Sequence, residues 1–66
     1  MRINKRDIIS MSIDLNKDKE SFNIIVQTGS FCVQYTNATF SFTDNSMEIV
    51  SRDKDNPSFI FLTTIH

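Results

Sequence analysis

The sequence predicts an all-β protein, built as an antiparallel meander of five to six short strands. Apolar and polar residues alternate with a period of two, and no segment keeps the spacing of an amphipathic helix. Val, Ile, Thr and Phe dominate the apolar set, whereas Ala occurs once and Leu twice, which favours strands over helices. Residues 21–43 also lack any charged side chain, although 23% of the chain is charged. We therefore expect one apolar sheet face and one uncharged polar face.

The first strand is predicted at residues 9–15, where Ile, Met, Ile and Leu alternate with Ser and Asp. A loop over 16–21 follows, within a segment of mixed charge, and would set Leu15 against Phe22. Residues 1–7 contain three basic side chains and could form a flexible basic arm ahead of this strand.

The clearest hairpin is centred on Gly29–Ser30, because glycine in the first position of a two-residue loop is typical of a type II′ turn. This turn would pair Val26 with Val33 and Ile24 with Tyr35. One face would then hold Phe22, Ile24, Val26, Phe31, Val33 and Tyr35. The other face would hold Asn23, Ile25, Gln27, Cys32, Gln34 and Thr36.

The segment after Tyr35 needs a change of parity, because Phe40 would otherwise point away from the core. The unbroken alternation also sets Phe22 opposite Asn37. A tight turn at Asn37–Ala38 would restore the parity and pair Tyr35 with Phe40. A bulge there would also restore it and would leave one long, bent strand. We favour the turn, because a cross-strand aromatic pair contributes about 0.2–1 kcal/mol.

Two further strands complete the predicted meander. A two-residue turn at Asp44–Asn45 would place Phe42 opposite Met47 and start the next strand. The last strand is predicted at 59–65, with Pro57 marking its boundary. This strand is apolar on both faces at its start, so we expect it to be covered on both sides or to lie at a subunit contact.

The chain length of 66 residues indicates a single domain near the lower limit for independent folding. Small domains often add disulfides, a metal or a second subunit. Cys32 is the only cysteine and His66 the only histidine, so neither a disulfide within the chain nor a tetrahedral zinc site is expected. We therefore expect a homodimer or higher oligomer. The sheet could close as a small barrel or form one layer of a dimeric β-sandwich.

Composition also bears on localisation and partners. The single cysteine, the charged N-terminal segment and the lack of a long apolar run predict a soluble, cytoplasmic protein that does not enter a membrane. The net charge of −1 gives no electrostatic reason to expect nucleic-acid binding. With one glycine and one histidine, the chain offers no phosphate loop and no positioned catalytic base, so we expect neither enzymatic activity nor a cofactor.

The uncharged polar face is the candidate interaction surface, because the cores of protein interfaces are depleted in charge. The sequence predicts a small non-enzymatic protein-interaction module that associates with itself or with another protein. The alternatives are a small β-barrel that binds single-stranded nucleic acid and one that encloses an apolar ligand. The candidate residues are Gln27, Cys32, Gln34 and Thr36 on the polar face and Phe59, Ile60, Phe61 and Leu62 at a subunit contact.

Overall fold

The computed structural model describes residues 1–52 and 58–61, and these residues form one antiparallel β-sheet with a single 3-10 turn. The predicted all-β class is confirmed. The elements are β1 (Arg2–Asn4), the 3-10 turn η1 (Lys5–Asp7), β2 (Ile8–Leu15), β3 (Phe22–Thr28), β4 (Phe31–Phe42), β5 (Ser46–Ser51) and β6 (Ser58–Phe61). The strands are ordered β1-β5-β4-β3-β2, and β6 pairs with β4 beside this path.

The predicted hairpins lie in the predicted registers wherever simple alternation sets them. Leu15 pairs with Phe22 between β2 and β3, and Val26 pairs with Val33 between β3 and β4. The predicted pairs Ile24–Tyr35 and Phe42–Met47 are also present. The apolar and polar residues of β3 and β4 therefore separate onto opposite faces, as the period of two requires.

The turn between β3 and β4 has a different geometry from the one predicted. Neither Gly29 nor Ser30 has a positive φ, so the type II′ prediction is wrong, because that turn needs a positive φ at its first central residue. Thr28 organises the turn instead. Its Oγ1 accepts the backbone N–H groups of Ser30 at 3.2 Å and of Phe31 at 3.1 Å.

The parity change near Asn37–Ala38 occurs within one continuous strand, so the predicted turn is wrong and the bulge is present. Ile24 pairs with Tyr35 and Phe22 pairs with Ala38, so two steps along β3 match three along β4. Phe22 consequently lies opposite Ala38 rather than Asn37. The extra residue lets β4 bend while its apolar side chains stay on the core face before and after the bulge.

The N-terminal residues are part of the sheet and do not form a free arm. Ile3 in β1 pairs with Met47 in β5 and is buried. The backbone N–H of Lys5 donates to the carbonyl of Asn45 at 2.9 Å and holds η1 against the β4–β5 turn. Burial of Ile3 explains why the flexible-arm prediction fails, since this apolar residue between Arg2 and Asn4 adds a short strand to the core.

The connection from β1 to β2 forces the sheet to curl. In the strand order, β1 and β2 lie at opposite edges, which in a flat sheet would be about 19 Å apart at about 4.8 Å per strand. Only four chain steps join Asn4 to Ile8, and these span at most about 14 Å. The sheet therefore bends toward a half-barrel. It stays open, because β1 and β2 do not pair with each other in the described residues.

In the described residues β6 does not close the sheet into a barrel, because it pairs with neither β1 nor β2. β6 pairs with β4 from Phe31 to Gln34, on the edge where β5 pairs further along the same strand. It thus lies beside the middle of the sheet. Of the predicted strand at 59–65, residues 59–61 are described, and residues 62–65 lie outside the described part of the chain.

The core lies on the concave face of the curled sheet. Its buried apolar side chains are Ile3, Ile24, Val26, Val33, Tyr35, Ala38, Met47 and Ile49. Aromatic rings close its rim, where Phe22 and Phe40 meet edge to face with their centroids 5.1 Å apart. The predicted apolar face is therefore the core, and the opposite face is left for contact with solvent or a partner.

Candidate interaction surface

The face opposite the core is crossed by three neighbouring strands, β3, β4 and β6, that carry no charged side chain. β2 extends this face with Ser10 and Ser12, so that two rows of side chains run across four strands. One row consists of Ser10, Gln27, Cys32 and Ile60. The second row consists of Ser12, Ile25, Gln34 and Ser58. We call these two rows, together with the neighbouring Asn23 and Thr36, the uncharged face.

The structure brings the predicted polar-face residues together. Gln27 and Cys32 pair directly, and Gln34 lies beside Ile25 one row away. Thr36 is exposed, and the other three predicted residues are half-buried by their neighbours in the sheet. Half-burial already restricts the rotamers of the two glutamines, which lowers the conformational entropy that is lost when a partner orders them.

Gln34 is held in place by a hydrogen bond across the strands. Its Nε2 donates to Asn23 Oδ1 at 3.3 Å. At the margin of the face, Asn16 Nδ2 donates to the carbonyl of Thr36 at 2.8 Å and ties the β2–β3 loop to the bulged part of β4. These bonds orient amide groups on the uncharged face without adding charge.

The apolar side chains of β6 divide between the two faces of the sheet. Phe59 lies on the core side, with its ring centroid 5.7 Å from that of Phe31. Ile60 lies on the uncharged face opposite Cys32 and is 66% exposed. For Phe61 the backbone pairing with Phe31 is described, and Leu62 lies outside the described residues. The start of this strand is thus apolar on both faces, as its sequence predicts, with Phe59 and Ile60 on opposite sides of the sheet.

Charged side chains lie at the margins of the uncharged face. Asp14, near the end of β2, pairs with Asn23 of this face. Further along β4, Ser41 pairs with Glu48 of β5, which forms an exposed ion pair with Arg2 at an N–O distance of 3.2 Å. An apolar and amide centre inside a charged margin resembles the core and rim of protein interfaces.

The outer edge of β2 is a second exposed feature, and the sequence prediction missed it. In the described residues β2 pairs only with β3, so its other edge presents unpaired backbone groups. The exposed fractions of Met11 and Leu15 on this edge strand are 43% and 56%. The signal was present in the sequence, because residues 8–15 contain no Lys, Arg or Pro, the residues that commonly protect edges.

A groove of about 450 Å³ lies between η1 and the β3–β4 turn. Its lining includes the charged residues Arg2, Arg6 and Asp7 and the apolar residues Ile9 and Phe31. The basic residues of the N-terminal segment thus lie around a groove at one end of the sheet, away from the centre of the uncharged face. The mixture of charges in the groove does not favour one sign of ligand.

The described residues show no features of a metal centre. They contain no group of three or more His, Cys, Asp or Glu side chains placed to hold a metal ion. The Cys32 thiol is half-buried between Gln27 and Ile60, as a small apolar residue would be. Across the described part of the chain, no helix has the length and apolar character needed to cross a bilayer.

Comparison with known proteins gives no functional assignment. The chain matches no protein-family model, no curated protein and no solved structure. Functional inference therefore depends on the two surfaces described above, the uncharged face and the edge of β2.

Proposed function

We propose that this protein is a small non-enzymatic interaction module that binds another protein through the uncharged face. The observation that carries the proposal is the run of three adjacent strands without a charged side chain on a face that the core does not use. Strands exposed to solvent usually carry Lys and Glu on their outer face. A surface that lacks them is suited to being covered.

The energetics of desolvation support this choice. Removing water from amide and hydroxyl groups costs far less than removing it from charged groups, provided that the partner offers hydrogen bonds. Gln27 and Gln34 present amide groups that can both donate and accept. Ile25, which is 37% exposed, and Ile60 add apolar area within the same two rows. Apolar burial contributes about 25 cal/mol per Å².

The aromatic residues favour this function over binding of single-stranded nucleic acid. Such binding needs exposed rings interleaved with basic side chains. Here Phe22, Phe31 and Phe40 pack against the core, on the face opposite the uncharged one. The rings therefore contribute to stability, and the uncharged face has no aromatic platform on β3 or β4.

The proposal is tested by placing one negative charge at the centre of the uncharged face. Gln34→Glu changes an amide to a carboxylate without changing its size, and we expect it to abolish partner binding by burying an unpaired charge. Tagged wild-type and variant chains are used to capture proteins from the native host, and the captured proteins are identified by mass spectrometry.

Asn45→Asp is the matched control, because it makes the same chemical change in the exposed β4–β5 turn. A thermal melt of each variant checks that the fold is retained. A protein captured by the wild type and by Asn45→Asp but not by Gln34→Glu supports the proposal. Equal capture by all three chains contradicts it, as would the absence of any captured protein.

A further inference from the structure

In the described residues three strands, β1, β2 and β6, each pair with only one neighbour, and their outer edges differ in how they are protected against pairing with another chain. β1 is three residues long and is flanked by Lys5, and its own first residue, Arg2, is charged. β2 is eight residues long, and Asp14 is its only charged residue. Short strands and basic side chains prevent edge pairing, and β2 lacks both. β6 carries no charge either, but it is only four residues long. The edge of β2 is therefore the longest one open to an additional strand in the described part of the chain.

We propose that β2 pairs antiparallel with β2 of a second copy, about a two-fold axis at Ser12, so that two sheets join into one. Closed two-fold dimers are the commonest symmetric assemblies of soluble proteins. A domain of this size without a disulfide within the chain also gains stability from a second subunit.

The register follows from the faces of β2. Directly opposed residues must lie on the same face, so the axis passes through a residue and not between two. Ser10–Leu15 is the regular part of β2, because the ladder to β3 shifts between Ile8 and Ser10. An axis at Ser12 opposes Met11 with Ile13 of the second copy and so covers apolar side chains of both copies.

Charge also favours this arrangement. With the axis at Ser12, Asp14 lies opposite Ser10 of the second copy. Ser10 is near the start of the second copy's β2, which follows Lys5 and Arg6 in the chain. A parallel arrangement in register would place the two Asp14 carboxylates side by side. An antiparallel axis at Ile13 would bring them about two residues closer along the strands than the axis at Ser12 does. Both axes keep the pairing within the regular part of β2, Ser10–Leu15, and the axis at Ser12 separates the like charges better than the axis at Ile13.

This dimer would extend the uncharged face. The row of Ser12, Ile25, Gln34 and Ser58 in one copy would continue directly into the same row of the second copy. A partner would then meet a continuous surface of twice the width. The second copy is favoured over an unrelated strand because, about this axis, apolar Met11 meets apolar Ile13 and the single charged residue of each β2, Asp14, meets an uncharged serine.

Disulfide trapping tests the axis. In a Cys32→Ser background, Ser12→Cys places a thiol on the axis, where opposed Cα atoms lie about 4.5–5.5 Å apart, within disulfide range. Ser10→Cys is the matched control, since it lies on the same strand and face and is also exposed. Its two copies would be about 13 Å apart and beyond reach. Mild oxidation followed by non-reducing electrophoresis should give a covalent dimer of Ser12→Cys alone.

Sedimentation equilibrium of the full chain gives the second measurement. Met11→Lys should raise the dimer dissociation constant about tenfold or more, because it introduces a charge at the β2 edge of each copy. Val50→Lys, a change at an exposed apolar residue of β5, should leave it unchanged. A wild-type monomer at all concentrations overturns the proposal, and so does a dimer in which Ser12→Cys crosslinks no better than Ser10→Cys. Partner capture is judged separately with Gln34→Glu, because Gln34 lies two strands away from this edge.

Discussion

Thr28 and Phe31 close the β3–β4 hairpin through a side chain. Thr28 Oγ1 accepts the backbone N–H of Phe31 at 3.1 Å and donates to the carbonyl of Phe31 at 3.2 Å. Thr28 is itself buried, so its hydroxyl exchanges few bonds with water. The turn therefore takes its conformation from the threonine and does not require a glycine at the next position.

Gly29→Ala should stabilise the protein by about 0.4–1 kcal/mol. Gly29 has no positive φ, and a Cβ built on it meets nothing within 4 Å. The added methyl group restricts the unfolded chain without straining the folded one. Urea unfolding at neutral pH measures the difference, and a type II′ turn would give the opposite sign.

Thr28→Val provides the control for this prediction. Valine has nearly the same shape but leaves the backbone N–H groups of Ser30 and Phe31 without their side-chain acceptor. We expect a loss of about 1–3 kcal/mol in the free energy of unfolding. If Thr28→Val lowered the free energy of unfolding by no more than a typical substitution at an exposed residue does, the hydroxyl would not organise the turn.

Tyr35 should make stability fall at alkaline pH. Burial raises the pKa of Tyr35 above its ordinary value of 10.0. The folded state thus holds the phenolic proton more tightly than the unfolded state. The resulting stabilisation is complete below pH 10.0 and is lost as the pH rises through the folded-state pKa.

The unfolding free energy of the wild type should therefore fall relative to that of Tyr35→Phe as the pH rises through that range. Tyr35 is the only tyrosine and the chain has no tryptophan, so ultraviolet absorbance of tyrosinate reports on this residue alone. An absorbance titration of the folded protein with a midpoint at the ordinary tyrosine value would contradict the prediction.

Local alternation was sufficient to predict the registers of the hairpins. Val26–Val33 and Phe42–Met47 are set by a turn and a period of two, both of which are local signals. The bulge was harder to predict from the sequence, because a turn and a bulge at Asn37–Ala38 restore the same parity. The structure has the bulge, since β4 continues past it to pair with both β3 and β5.

Pairing between distant segments was not predictable in the same way. Ile3 pairs with Met47, and Phe59 pairs with Val33, although long stretches of chain separate the partners. Alternation says which face a residue occupies but not which strand lies beside it. The grouping of Gln27, Cys32 and Gln34 followed from one hairpin and was predictable. The exposed edge of β2 depended on strand order and was not.

Asp18 should make stability fall at acidic pH. The backbone N–H of Glu20 donates to Asp18 Oδ1 at 2.9 Å and is the main cause that lowers the pKa of Asp18. Ser21 adds its backbone N–H at 3.1 Å and its hydroxyl. A lowered folded-state pKa gives stabilisation above the ordinary value of 3.8, which is lost as the pH falls through the folded value.

Asp18→Asn should therefore remove part of the acid sensitivity of the protein. Unfolding by urea at several pH values gives the free energy of each variant, and the curves of wild type and Asp18→Asn should converge at low pH. Asp44→Asn, a carboxylate-to-amide change in the β4–β5 turn, is the matched control. Curves that run parallel down to low pH would rule out a role for the Asp18 carboxylate in this loop.

The chain should not bind single-stranded DNA. Arg2 is engaged with Glu48, and Lys5 lies over the Phe42 ring, with Nζ 5.5 Å from its centroid. Sequence-independent binding needs several free basic contacts, and its strength falls as salt rises. Fluorescence anisotropy of a labelled oligothymidine at low salt should stay constant on titration with protein. A salt-dependent rise that Arg6→Ala weakens would contradict this, because Arg6 lines the groove between η1 and the β3–β4 turn.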